Sequence, residues 1–260
     1  MLLAVGILVF GMTGQAMADL AFKTGDLIRI AYGVNASDGK SYEYATDLGN
    51  FASLTSPISA TTLLSANPIN FGTFGSTPVS GLTVAYYMVT NTAYGDASNQ
   101  VWASGALATG QWSGSRKWAG FASNSSANLL NYQGSAAGTN NATITVAPLD
   151  NSYETKFGTG GTLGTYINTT QHPGTGADAS LAALATLGYV DQYLYYYDPS
   201  QNTTTYAGGQ ATYLIATIRT FANGTTELLP NAAPVPIPAA VYLLGSGLLG
   251  LIGIRRRMMA

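Results

Sequence analysis

Carboxylates are the one abundant group of catalytic type in this chain. There are twelve Asp and Glu side chains against a single histidine and no cysteine. A glycoside hydrolase needs two carboxyl groups flanking one bond, but none of the twelve falls in a recognisable motif. Glu43 and Asp47, in SYEYATDLG, read as solvent-facing strand or turn residues. His172 lies before a proline in the Gly-rich stretch QHPGTG and reads as a loop residue; one imidazole does not make a zinc site. The absence of cysteine excludes thiol chemistry. There is no G-x-S-x-G elbow and no compelling Ser-His-Asp arrangement. GVNASDGKS, residues 33–41, has one residue too many between its glycines for a phosphate-binding loop and reads as a hairpin loop. GTGAD, residues 174–178, is half of a calcium-binding Gly-Asp repeat without its stack. The expectation is a body with no catalytic residue, no metal and no cofactor.

Two aromatic groupings have the chemistry of sugar recognition. Trp102, Trp112 and Trp118 fall within 17 residues, beside Arg116 and Lys117. Tyr193, Tyr195 and Tyr197 line one face of a strand, with Tyr196 on the other. Exposed rings stack on the C–H faces of pyranoses while amides hold the hydroxyls. The same rings are also ordinary strand and core residues, and that reading is favoured for Tyr196 and most of the Trp set. Trp112, Trp118, Tyr193 and Tyr195 stand as candidate glycan contacts.

The elements that must position these side chains are mostly strands. DLIRIAYGV, SYEYATDLG, LTVAYYMVT, QVWAS, ATITVAP, YVDQYLYYYDP and TYLIATIRTF carry β-branched and aromatic residues between Gly, Asn, Ser and Pro clusters. Asp38-Gly39 and Asn223-Gly224 are hairpin turn pairs; the second joins residues 218–221 to 225–229. ADASLAALATLG predicts one helix, with Asp178 or Ser180 as N-cap and Gly188 as its stop. Residues 113–141 and 155–177 read as loops. The predicted fold is mainly β: an antiparallel β-sandwich with long Gly/Ser/Thr loops and one or two short helices, plus a C-terminal transmembrane helix. Only 8% of residues are charged, against about 25% in an ordinary soluble domain. Residues 19–231 hold 12 acidic and 7 basic side chains, a net charge of −5. Such a surface argues against nucleic acid as a partner, since that needs clustered Lys and Arg.

Both ends carry segments of another kind. Residues 2–10 are apolar, and Ala16-Met17-Ala18 fits the small-x-small cleavage rule, so residues 1–18 read as a signal peptide cut after Ala18. No Lys or Arg precedes the apolar run. Residues 19–229 form the predicted exported domain. A spacer follows at 230–238, with prolines at 230, 234, 236 and 238; alternating prolines favour stiff, extended polyproline II, open to proteases. Residues 239–254 are 16 uncharged residues. As a helix they span roughly 24 Å against a bilayer core of about 30 Å, and the flanking arginines extend the reach by snorkelling. Arg255, Arg256 and Arg257 mark the cytoplasmic side, in a basic tail of residues 255–260.

Val235-Pro236-Ile237-Pro238-Ala239, then an apolar helix, then three arginines, closely resembles the VPLPA variant of the PEP-CTERM sorting signal. The resemblance covers the last 26 residues or so, with Ile237 where this variant usually has Leu. It implies delivery by the Sec machinery across the inner membrane of a Gram-negative bacterium. It further implies transient anchoring, recognition by an exosortase, and arrival at the cell surface or outside the cell. Proteins with this signal are linked with exopolysaccharide, biofilm and floc formation. The expected function is that of a non-catalytic surface or matrix protein associating with exopolysaccharide or with copies of itself. Two alternatives remain open: an extracellular glycan-active hydrolase carried by the same signal, and a single-pass membrane protein.

Overall fold

A computed structural model describes residues 21–64, 67–96, 98–105, 111–112, 115–136, 138–147, 151–158, 178–197, 206–207 and 214–230. The signal-peptide residues Ala16 and Ala18, His172, the motif Val235 to Ala239, the apolar segment 239–254 and Arg255 to Arg257 lie outside the described residues. Among the described residues no helix is long and apolar enough to cross a membrane.

The chain is mainly antiparallel β. Its strands are β1 (Asp26–Val34), β2 (Ser41–Asn50), β3 (Thr62–Leu63), β4 (Thr83–Thr90), β5 (Gln100–Gly105), β6 (Gln111–Trp112), β7 (Asn141–Thr145), β8 (Asp178–Ser180), β9 (Tyr189–Tyr197), β10 (Tyr206–Ala207), β11 (Leu214–Phe221) and β12 (Thr226–Leu229). Ten of them make one curled sheet, ordered β3-β12-β11-β9-β5-β4-β1-β2-β7, with β8 beside the first half of β4. A separate two-stranded ribbon pairs β6 with β10.

All seven segments with strand character form strands, and both turn pairs close hairpins. The β1–β2 turn has Gly39 at φ 71°, and the Asn35 N–H donates to the Lys40 carbonyl at 2.8 Å. The β11–β12 turn has Gly224 at φ 81°. The near P-loop sequence is therefore a hairpin loop. The predicted helix at 181–187 is a 3-10 turn (Leu181–Ala183) running into α3 (Leu184–Leu187). Ser180 is its N-cap, accepting from the Ala182 N–H, and Gly188 is its left-handed stop.

Two expectations are corrected. Residues 115–136 are not a loop but a 22-residue helix, α1 (Ser115–Ala136). Its Ser, Asn and Gly content hides the signal, because those residues favour caps and turns when taken singly. Its buried positions Leu129, Tyr132 and Ala136 keep helical spacing, and Ser125 and Asn128 are buried with them. The helix forms because that face is packed against the sheet. The second correction concerns the layers. Among the described residues one face of the sheet is covered by α1 and α2 (Tyr153–Lys156). The other is covered by the 51–82 connection and residues 181–184.

Strand alternation sorts the core between the two faces. Ile28, Ile30 and Tyr32 of β1, Tyr87 and Val89 of β4, and Tyr195 of β9 face the helices. Leu27 and Ala31, Tyr86 and Met88, and Trp102 with Tyr196 face the long connection.

The two turn glycines differ in surroundings. A Cβ on Gly39 meets nothing within 4 Å, whereas one on Gly224 lies 2.7 Å from the Ile69 backbone nitrogen. Gly39→Ala is expected to lower stability by about 1 kcal/mol, the left-handed penalty alone. Gly224→Ala is expected to lower it by about 3 kcal/mol, since backbone must also move. Urea denaturation of both variants checks this, and equal losses would show that the Ile69 contact carries no weight.

Candidate functional site

The polar side chains that come together do so around β1, β2 and the short elements docked on them. A cleft of about 250 Å³ is lined by Tyr32, Thr83, Glu154, Asp178 and Ser180. Tyr32 comes from β1. Thr83 and Ser180 are opposite one another across the β4–β8 pair. Glu154 is supplied by α2. The Tyr32 hydroxyl donates to the Asp178 carboxylate, and Ser41 Oγ donates to Glu154 at 2.5 Å. Burial, then the facing Asp178 charge, pushes the Tyr32 phenol well above its ordinary value, so it remains a donor. Both cleft carboxylates thus accept from the protein's own hydroxyls.

Behind this cleft Glu43 is fully buried. Its Oε2 accepts from Tyr132 Oη at 2.8 Å and from the Tyr153 N–H at 3.0 Å. Its Oε1 accepts from the Glu154 N–H. One carboxyl therefore joins β2 to α1 and fixes the first turn of α2, where Ser152 also caps the Thr155 N–H. Burial pushes the Glu43 carboxyl up to about 7, against the pull of its three donors.

A second carboxyl pair closes the other end of β1–β2. Asp26 and Asp47 lie near enough for the Asp47 charge to oppose ionisation of Asp26. Asp26 Oδ2 accepts from the Lys23 N–H at 2.8 Å, and Asp47 Oδ2 from the Phe22 N–H at 2.7 Å. Burial, then the Asp47 charge, pushes Asp26 up to about 7.

These positions correct the solvent-facing reading of Glu43 and Asp47. Alternation did separate Glu43 from Tyr42 and Tyr44, but β2 is covered on both faces, so its polar face is interior. Of the candidate glycan residues, Tyr193 and Tyr195 have described side chains, whereas Trp112 and Trp118 are placed by their elements alone. Tyr195 is 2% exposed within the helix-side core, leaving no ring face for a sugar, and Tyr193 is half-buried against the same core. Trp112 lies in β6 opposite Tyr206; Trp118 lies in the first turn of α1. Trp102, read as core, is fully buried, tilted against Tyr196 at 4.9 Å, with Nε1 donating to the Leu54 carbonyl at 2.5 Å. The cleft residues Tyr32, Glu154 and Asp178 carry no local motif, since the Tyr32–Asp178 bond spans 146 positions.

The cleft presents acceptors and hydroxyls suited to hydrogen-bonding a polar ligand. Among the described residues no three His, Cys, Asp or Glu side chains come together as metal ligands. No family model, no curated protein and no solved structure matches the chain.

Asp26 and Glu43 hold protons more tightly folded than unfolded. As pH rises from ordinary carboxyl values towards 7, the unfolded chain releases those protons first, and stability falls. The melting temperature is expected to drop between pH 5 and pH 8 and to level off above. Asp26→Asn retains an acceptor for the Lys23 N–H and needs no proton to fold, so the variant is expected to gain more stability at pH 8 than at pH 5. An equal change at both pH values would show that protonation of Asp26 is not the cause.

Proposed function

We propose that this chain is an exported, exosortase-sorted surface or matrix protein whose body acts by association, without catalysis. The observation that carries the reading is the tripartite tail: Val235-Pro236-Ile237-Pro238-Ala239, the uncharged 239–254 segment, and Arg255 to Arg257. What precedes it supports the boundary. Strand β12 ends at Leu229, adjacent to Pro230, so the β11–β12 pairing stops where the proline spacer starts. Sec machinery and an exosortase are the partners in sorting. Exopolysaccharide or further copies of the body are the partners afterwards.

Self-association has a surface to use. Among the described residues β7 is one of the two terminal strands of the sheet, β3 being the other, and it pairs only with β2. Its sequence NATIT has none of the Lys or Pro gatekeepers that protect exposed edges. With few charges, repulsion between bodies is weak. The hydrolase alternative has one favouring observation, the two carboxylates Glu154 and Asp178 lining one cleft. Loss of glycan turnover on Glu154→Gln, in protein that turns over glycan to begin with, is its test.

Mass spectrometry of protein from the native host is expected to find no peptide from residues 243–257 in the extracellular fraction. An intact tail in fully localised protein would overturn the sorting reading. Replacing Arg255, Arg256 and Arg257 with Ala is expected to impair membrane retention before processing, because the charge that halts translocation is lost.

The body's association is expected to survive high salt, since polar and aromatic contacts carry it. Sedimentation at low and high ionic strength, with and without host exopolysaccharide, measures this. A monomeric, unbound protein in every case defeats the association reading, and binding that vanishes with salt makes charge the driver.

A further inference from the structure

A groove of about 250 Å³ opens where the segment 21–24, the turn after β4 and helix α1 meet. Its walls carry Phe22, Lys23, Thr24, Tyr94, Leu130 and Gln133. Each wall is fixed by hydrogen bonds, some from outside the groove and some across it. Phe22 is fully buried at φ 64°, a left-handed conformation rare for a bulky residue. It is held there by Asp47 accepting its N–H and by Gln133 Nε2 donating to its carbonyl at 2.9 Å. The ring packs against Tyr132 at 5.5 Å. Across the groove Tyr94 ends the 3-10 turn Thr92–Tyr94. Asn91 caps that turn through the Ala93 N–H, and Asp96 accepts the Asn91 N–H at 2.7 Å. Asn91 Nδ2 donates to Ser126 Oγ of α1 at 3.0 Å, which ties the turn to the opposite wall.

Held in this way, Tyr94 is nevertheless 52% exposed and Leu130 53% exposed. A scattered exposed apolar residue is ordinary. Here the ring stands on a braced turn at the mouth of a cavity whose floor is a strained residue, and such strain clusters at ligand sites.

We infer that this groove binds a neutral saccharide unit. The Tyr94 ring and Leu130 offer apolar surface to the C–H face of a pyranose. The Gln133 amide is oriented by its bond to Phe22, which leaves Oε1 as an acceptor for a sugar hydroxyl. The Thr24 and Tyr94 hydroxyls both donate and accept. A purely apolar ligand would bury these polar groups without partners, which is unfavourable. Lys23 is the one charged side chain on the walls, too little for a polyanion, which is held by several cations. The volume lies below the roughly 300–1,000 Å³ of pockets for drug-sized ligands and suits one ring of a longer chain. This inference rests on the reading of the body as an association module, and it gives that module a location on the groove between α1 and the Tyr94 turn.

The test uses the full chain in mild detergent, titrated calorimetrically with cellohexaose, maltohexaose and mannohexaose, and with an oligogalacturonate as the anionic arm. At least one neutral hexaose is expected to bind. Tyr94→Ala is expected to weaken that binding by about tenfold, and Tyr94→Phe to retain most of it. Both variants are expected to keep the wild-type melting temperature, because Tyr94 lies on the surface. Binding unaffected by Tyr94→Ala, binding of the oligogalacturonate alone, or no binding to any probe overturns the inference. Cosedimentation of wild type and Tyr94→Ala with host exopolysaccharide separates the two failures. Equal cosedimentation removes the groove and leaves the association reading intact, whereas its absence in both, in protein that also sediments as a monomer, removes that reading as well.

Discussion

The Arg29 guanidinium is fully buried and is held by four neutral oxygens. Nη1 donates to the Gly224 carbonyl at 2.8 Å and to Thr226 Oγ1 at 3.0 Å; Nη2 donates to Thr46 Oγ1 at 3.0 Å and to the Asn67 carbonyl at 2.7 Å. A cation taken out of water in this way is tolerable only if its donors are met. The acceptors come from the neighbouring strand, from the β11–β12 hairpin and from the 51–82 connection. Those segments are 17, 195 or more, and 38 positions away. The guanidinium therefore fixes how the second face of the sheet is closed. The Ile69 N–H donates to the same Gly224 carbonyl at 3.0 Å, and Tyr86 Oη bonds both Thr220 and Thr226. Burial lowers the Arg29 pKa, and the neighbouring Tyr86 and Tyr44 act in the opposite direction.

Glu43 does the corresponding work on the opposite face. The two groups never meet, because alternation along β1 and β2 sends them to opposite sides of the sheet. Each is a single buried ionisable side chain surrounded by neutral partners. The consequences differ, however. A guanidinium keeps its charge, so the connection-side closure is indifferent to ordinary pH. A carboxyl near 7 does not, so the attachment of α1 and α2 varies with it. The Asp26–Asp47 pair adds a second proton-dependent clasp on that same side, at the segment carrying Phe22.

How far this was legible in the sequence follows from the range of the interactions. The seven main strands, both hairpin turns and the Ser180–Gly188 helix signals depend on residues within about ten positions of each other, and they read correctly. The nature of the layers did not, because it rests on α1. That helix is rich in Ser, Asn and Gly and is stabilised by Tyr132 reaching Glu43, 89 positions away. Solvent exposure failed for the same reason. Glu43 alternates with tyrosines as an outward residue should, and only the docking of two helices shows that this face is interior. The cleft is assembled from four separated segments and the groove from three. Of the cleft residues, Tyr32, Thr83, Asp178 and Ser180 lay in stretches the sequence singled out, but as strand or capping residues and not as parts of one site.

Covering both faces of a sheet has a functional consequence. The large aromatic residues that make an open sheet adhesive are consumed in the two cores: Trp102, Tyr86, Tyr87, Tyr132 and Tyr153 are all fully buried. Aromatic abundance in this chain is therefore a poor guide to its surface. Among the described residues the surfaces that remain include the outer edge of β7 and the seams where α1, α2 and the loops meet the sheet. An edge recognises backbone and so favours another polypeptide, whereas a seam presents a few side chains at fixed spacing and so favours a small repeating unit.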